Sequence, residues 1–169
     1  LYVVHPKNLI PGRQTCNQHK SAKTLDDSGR RHYWNAYLDV VPNDKFLYCS
    51  ITERNGLPHA TFYLQQGEID NRIFRLLENT MKEQDVLKTF EAGSGAAIMN
   101  LIKETVMYIR KDACAHTLNY CIEQVSDQKQ ICSEINNWKD VLDKALLESA
   151  VFIKCLREEL KRCDVPFKD

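Results

Sequence analysis

The chain has 169 residues, with 23 basic and 23 acidic side chains, so no net charge draws it to nucleic acid or to an anionic membrane. That length suits a single domain, 1–169, with a sizeable core. No apolar run approaches the ~20 residues of a membrane span, and Leu1 opens no signal peptide, which reads as a mature product with its leader removed.

Residues 1–31 contain Pro6, Pro11, Gly12 and Gly29 without a sustained hydrophobic period, and are read as an irregular arm pinned by Cys16. Asp26 to His32 reads as a polar loop. Its Arg30-Arg31 pair also fits a processing site, but an exposed loop is the preferred reading. Arg30, Arg31, Tyr33 and Trp34 mix base with aromatic and form one candidate interface, with an ordinary strand start as the preferred reading.

Residues 32–66 are predicted as a three-stranded antiparallel meander of AYLDVV (36–41), KFLYCSIT (45–52) and LPHATFYL (57–64). Pro42 to Asp44 supplies the first turn. Asn55-Gly56 supplies the second, and this dipeptide favours a two-residue hairpin loop. It pairs Arg54 with Leu57, which sends Leu47, Cys49, Ile51, Ala60, Phe62 and Leu64 to one face. Tyr48 then opposes Tyr63, Ser50 opposes Thr61 and Thr52 opposes His59 on the other. A one-residue slip destroys this sorting. Tyr48 and Tyr63 become a second candidate interface.

Residues 68–164 read as a helical bundle. Ile69, Ile73, Leu76 and Leu77 form one stripe. TMKE (80–83) resembles a capping box, so a second short helix is expected from Thr80 to Phe90. Gly93 and Gly95 are expected to break the pattern. A long helix follows over 96–124, with Ile98, Leu101, Ile102, Thr105, Ile109 and His116 on one side. A turn at Val125–Gln128 leads to another long helix, capped by Asp127 and carrying Trp138, Leu142, Leu146, Leu156 and Leu160.

Seven cysteines are many for a reducing compartment, and a disulfide framework in a secreted protein is the expected use. The competing reading is a set of buried thiols in a cytosolic protein. No Cys-x-x-Cys occurs, so neither a redox pair nor a zinc knuckle is encoded. Cys114 and Cys121, on one helix, stand about 10 Å apart, beyond disulfide reach. Cys155 and Cys163 fail in the same way. If the two long helices form a hairpin about residues 126 and 127, Cys121 meets Cys132. Cys16 and Cys49 are then left to pair with Cys155 and Cys163, in either order. Cys114 remains as a buried thiol or as a bridge to another chain, which would make a dimer.

Catalytic signals are sparse. Cys114 and His116 diverge on a helix, His5, His19, His32, His59 and His116 are scattered, and there is no His-Glu-x-x-His, Gly-x-Ser-x-Gly or phosphate-binding fingerprint. No catalytic residue, metal site or cofactor is assigned.

The cysteine-studded helices from Cys114 to Cys163 resemble secreted, disulfide-bridged, helix-rich salivary proteins of blood-feeding insects. That resemblance implies a non-enzymatic effector that binds a host or partner molecule, and it transfers no residue roles. The insect odorant-binding families carry two cysteines three residues apart on one helix. This chain lacks them, so their ligand pocket does not carry over. The expectation is a secreted α+β protein, predominantly helical, that binds another macromolecule, a protein rather than nucleic acid. The alternative is a carrier of a small apolar ligand in a cavity above ~300 Å³ between sheet and helices, lined by Phe62, Leu64 and Trp138. An enzyme with a spatially assembled site ranks third.

Overall fold

The computed structural model describes residues 25–35, 38–112, 117–131 and 133–168. They form a helix-rich α+β protein: a two-stranded antiparallel sheet of β1 (Leu47–Arg54) and β2 (Leu57–Leu64), then α1 (Asn71–Glu83), α2 (Val86–Asp112), α3 (Leu118–Ile131), α4 (Trp138–Leu147) and α5 (Ala150–Arg162). Two compact units divide the chain. The first takes the described residues up to Phe46 together with Leu64–Thr89, and the second takes Leu47–Tyr63 with the described residues from Phe90 onward.

The hairpin has the predicted register. Asn55 and Gly56 both adopt positive φ, at 54° and 77°, as a two-residue turn matched to strand twist requires. The Ser50 hydroxyl donates to the Thr61 carbonyl and the Thr52 hydroxyl to that of His59, each at 3.5 Å. Ala60 and Phe62 are buried while Thr61 and Tyr63 are exposed.

The strand expected at 36–41 requires correction. Residues 36 and 37 lie outside the described residues, and 38–41 form a turn and irregular chain. The Asn35 carbonyl accepts from the Leu38 and Asp39 N–H groups at 3.0 and 2.8 Å. Asp39 accepts the Asn35 N–H at 2.8 Å and grips the Arg31 guanidinium through two bonds of 2.8 and 2.6 Å. These groups are satisfied locally and offer a neighbouring strand no ladder, so the apolar Leu38, Val40 and Val41 stay exposed.

In the first unit, α1 starts where the Asp70 carboxylate accepts the Arg72 and Ile73 N–H groups at 2.9 and 3.2 Å. Ile69, Leu76 and Leu77 are buried, as are Tyr33 and Phe46. The helix does not restart at Thr80. The Thr80 hydroxyl donates to the Leu76 carbonyl at 2.7 Å, so it continues the helix instead of capping a new one. The helix ends at Glu83, and Asp85 takes a φ of 54° before α2.

In the second unit, α2 runs straight through Gly93 and Gly95, where a break was predicted. Ser94 is buried, and its hydroxyl donates to the Glu91 carbonyl at 2.7 Å. Gly93 serves packing: a Cβ there would lie 3.2 Å from the Trp138 ring, whereas one on Gly95 would meet open space. Trp138 lies flat on Phe90, with centroids 5.5 Å apart and planes at 9°, and Phe62 of β2 stands edge-on to both. The Phe62 N–H donates to the Glu91 carboxylate at 3.3 Å.

The turn expected at Val125–Gln128 is also absent, since those residues lie within α3 and Asp127 caps nothing. The stretch has no Gly or Pro to stop a helix, and Val125 is buried in register with Leu118, Cys121 and Ile122. The single long hairpin about 126 and 127 therefore does not form. Instead the Asn137 side chain caps α4 by accepting the Lys139 N–H at 3.0 Å, and the Ser149 hydroxyl caps α5 by accepting that of Val151 at 3.2 Å. The α4 helix packs along β1 and touches α3 and α5, and α5 also reaches β1. Lys129 on α3 pairs with Glu104 on α2 at 2.9 Å and with Asp143 on α4 at 3.0 Å.

Disulfide pairing among the described cysteines is corrected as well. Cys49, Cys155 and Cys163 carry thiols. The Cys49 Sγ donates to the Ser50 carbonyl at 3.7 Å and the Cys163 Sγ to the Glu159 carboxylate at 3.6 Å. Burial pushes the Cys49 thiol up to about 11 and raises Cys155, which disfavours the thiolate needed for exchange. Cys16, Cys114 and Cys132 lie outside the described residues, and with them the expected Cys121–Cys132 bridge, the Cys16 pairings and the Cys114 dimer contact. Cys121 is buried on α3.

Two expectations follow. Alkylation of denatured, unreduced protein with peptide mapping should find Cys49, Cys155 and Cys163 labelled. A stability measurement on two glycine variants should separate them. Gly95→Ala should stabilise by ~0.5–1 kcal/mol through helix propensity. Gly93→Ala should gain nothing or lose up to ~2 kcal/mol, because the ring it meets is held by two other aromatics.

Candidate functional site

The loop after Leu25 closes on itself in the first unit. The Asp26 carboxylate accepts the Ser28 and Arg30 N–H groups, each at 2.9 Å, and Gly29 turns at a φ of 71°. The Arg30 N–H, with the Ser28 N–H and the Arg75 guanidinium, holds the Asp26 carboxyl below the usual carboxylate range. The result is a short rigid loop that presents Arg30.

The residues after it anchor to α1. His32 Nε2 meets Glu83 Oε1 at 2.7 Å, and the Tyr33 hydroxyl donates to Glu83 Oε2 at 2.9 Å. The Asn79 amide donates to the His32 carbonyl at 3.0 Å, and the Trp34 N–H donates to the Thr80 hydroxyl at 3.0 Å. Burial and the Glu83 carboxylate push the Tyr33 hydroxyl up to about 12. Arg31, paired with Asp39, is raised further. Of the first candidate interface, Arg31, Tyr33 and Trp34 are therefore absorbed into an anchor. Only Arg30 faces an opening.

That opening is a cleft of about 700 Å³ lined by Arg30, by Gln66, and by Asn71, Arg72, Phe74, Arg75 and Glu78 of α1. Gln66 is fixed by donating to the Ile69 carbonyl at 3.0 Å and to Asn71 Oδ1 at 2.7 Å. Arg75 sits 3.5 Å from Asp26, and Lys82 occupies Glu78 at 2.7 Å. The side chains of Arg30 and Arg72 have neither an ion pair nor a hydrogen bond among the described residues. Three guanidiniums thus share one concavity, and most of their donors are unspent among the described residues. Sequence reasoning found Arg30 and missed Arg72 and Arg75. Their only signal was spacing: i and i+3 on the polar side of a helix.

The second candidate interface lies in the other unit. Tyr48 and Tyr63 stack at 5.7 Å with planes at 20°, and Tyr63 is exposed. A separate cavity of about 390 Å³ runs along α2 beside Trp138, with Gly93, Ala96 and Ala97 in its wall and Lys129, Glu104 and Asp143 among its polar lining. Phe62 does not line it, being packed into the aromatic cluster, and the charges around Lys129 are mutually engaged. Burial raises the Asp143 carboxyl even with Lys129 beside it.

Among the described residues, no group of three His, Cys, Asp or Glu side chains is arranged to hold a metal ion, and no helix is long and apolar enough to cross a membrane. Comparison with protein-family models, with curated proteins and with solved structures returns no match.

The Tyr33 anchor has a pH signature. A tyrosine titrates near 10 when unfolded, and Tyr33 titrates near about 12 when folded. Its raised folded value contributes stability that is fully present below ~10 and lost as pH rises through ~12. Tyr33→Phe should cost about 1 kcal/mol at neutral pH by removing the hydroxyl's bond to Glu83 Oε2. Denaturant titrations should show less loss of stability over that alkaline window in the variant than in the parent.

Proposed function

We propose that this is a non-catalytic protein that binds another macromolecule, and that its partner is a protein presenting anionic groups to the cleft of Arg30, Arg72 and Arg75. The unspent positive charge in that concavity carries the reading. The chain as a whole is neutral, so the attraction is local to the cleft, which suits a short acidic segment better than a polyanion of uniform charge. Arginine supports it chemically: its planar fork binds carboxylates and other oxyanions through paired bonds and loses less water than lysine in doing so. His32, Tyr33 and Glu83 of the first unit are engaged with one another in anchoring the loop to α1. The resemblance to salivary effectors extends the reading to secretion and to modulation of a host response.

The test is fluorescence anisotropy of a labelled glutamate-rich peptide against the intact chain. Binding should weaken as salt rises. An Arg72→Glu, Arg75→Glu double variant with unchanged circular dichroism should bind about tenfold more weakly, since both reversed charges repel the ligand. Equal affinity in parent and variant would remove the cleft as the binding surface.

A further inference from the structure

We propose that the group taken by this cleft is an aryl ester of a tetrahedral oxyanion: the O-sulfate or O-phosphate of a tyrosine on the partner protein. The inference rests on the protein-binding reading above and narrows it to a modified side chain.

The donor count comes first. Each guanidinium carries five N–H donors and no acceptor. Arg72 and Arg75 are neighbours on the surface of α1, and Arg30 joins them from a loop held rigid by Asp26. Like charges at i, i+3 oppose one another, and a third brought to the same concavity adds to that cost. Asp26 pairs directly with Arg75 and feels the charge of Arg30 as well, so one carboxylate faces two of the three cations. Glu78, the one acid among the described lining residues, is engaged by Lys82. Asp39 feels the charge of Arg72, but its carboxylate is already gripped by Arg31. A carboxylate offers two oxygens to these donors. A sulfate or phosphate ester offers three around a tetrahedron and suits several guanidiniums at once.

Size and shape come second. The cleft holds about 700 Å³, more than a bare oxyanion needs, and within the range of pockets that take whole organic groups. Phe74 is part of the same lining as Arg75 and Arg30. An aromatic side chain in a lining that also holds arginines can accept a flat ring edge-on or offset while its ester reaches the guanidiniums. The Gln66 and Asn71 amides in the lining are locked to each other.

Phosphate and sulfate esters share this geometry and differ in charge. A phosphate monoester gains its second charge near pH ~6, and a sulfate ester keeps one charge throughout. Affinity for the phosphate form should therefore climb as pH rises through ~6, while that for the sulfate form stays level.

The experiment uses the intact chain and one peptide sequence with a single varied residue: tyrosine, O-sulfotyrosine, O-phosphotyrosine, O-phosphoserine or glutamate. Fluorescence anisotropy should show at least one tyrosine ester binding ten or more times tighter than the glutamate peptide. Whichever ester binds tighter identifies the modification. Arg72→Gln should erase that advantage. Phe74→Leu, which keeps an apolar side chain at a half-buried position, should remove the preference for phosphotyrosine over phosphoserine. If the glutamate peptide binds as tightly as both esters, the inference fails and the protein-binding reading stands. If phosphoserine matches phosphotyrosine, the aryl class is wrong. If no peptide binds, both readings fall.

Discussion

The indole of Trp138 is the piece on which the second unit depends. It joins three elements that are distant in sequence: Phe62 on β2, Phe90 at the start of that unit's share of α2, and α4, which it opens. The ring lies close to α2 over residue 93, where an added Cβ would stand 3.2 Å from it. Once it is seated, α4 is placed along β1, and α3 and α5 pack on α4. Large aromatic surfaces in edge and offset contact contribute beyond the area they bury. The small sheet, which two strands alone would barely hold, is stabilised from that side.

The first unit is built differently. Beside a modest apolar core of Tyr33, Phe46, Ile69, Leu76 and Leu77, its loops are held by directed polar bonds. Asp26, Asp39, Asp70 and Glu83 each accept at least two donors. Carboxylates satisfied this way fix loop geometry without bulk. They also leave a surplus of arginine, since the acids near the cleft are already committed. The second unit shows the opposite economy around Lys129, where one cation answers two acids. The proposed binding role attaches to the unit whose charges are not balanced at close range.

Much of the hairpin and of the core was legible in the sequence because its signals are local. Asn55-Gly56 dictates a turn, the turn dictates a register, and alternation does the rest. The helical stripes of Ile98, Leu101, Ile102 and Ile109 and of Leu142, Leu146, Leu156 and Leu160 followed from period alone, and all are buried. The errors arose where a local signal met a tertiary one. Gly93 looks like a breaker and is a seat for an indole 45 residues away in sequence. Thr80 looks like a cap and is an internal link to Trp34. The alternating residues after Asn35 look like a strand, but Asp39 and Asn35 close the backbone on itself. The cysteine argument failed at its premise, since its hairpin assumed a turn inside what is α3. The cleft was illegible because Arg30 and Arg72 converge through the fold and share no motif.

Lys129 serves two masters, Glu104 on one helix and Asp143 on another, and Asp143 is only 14% exposed. The three positions therefore cannot vary independently over evolutionary time. A neutral residue at 104 leaves a simple ion pair behind. A neutral residue at 129 leaves two carboxylates facing one another, one of them partly removed from water, and burial of an uncompensated charge is among the costliest single changes a fold can suffer. Among descendants of this sequence, loss of the lysine should follow loss of the aspartate and not precede it. The order of substitution is thus inscribed in the geometry of one ammonium group.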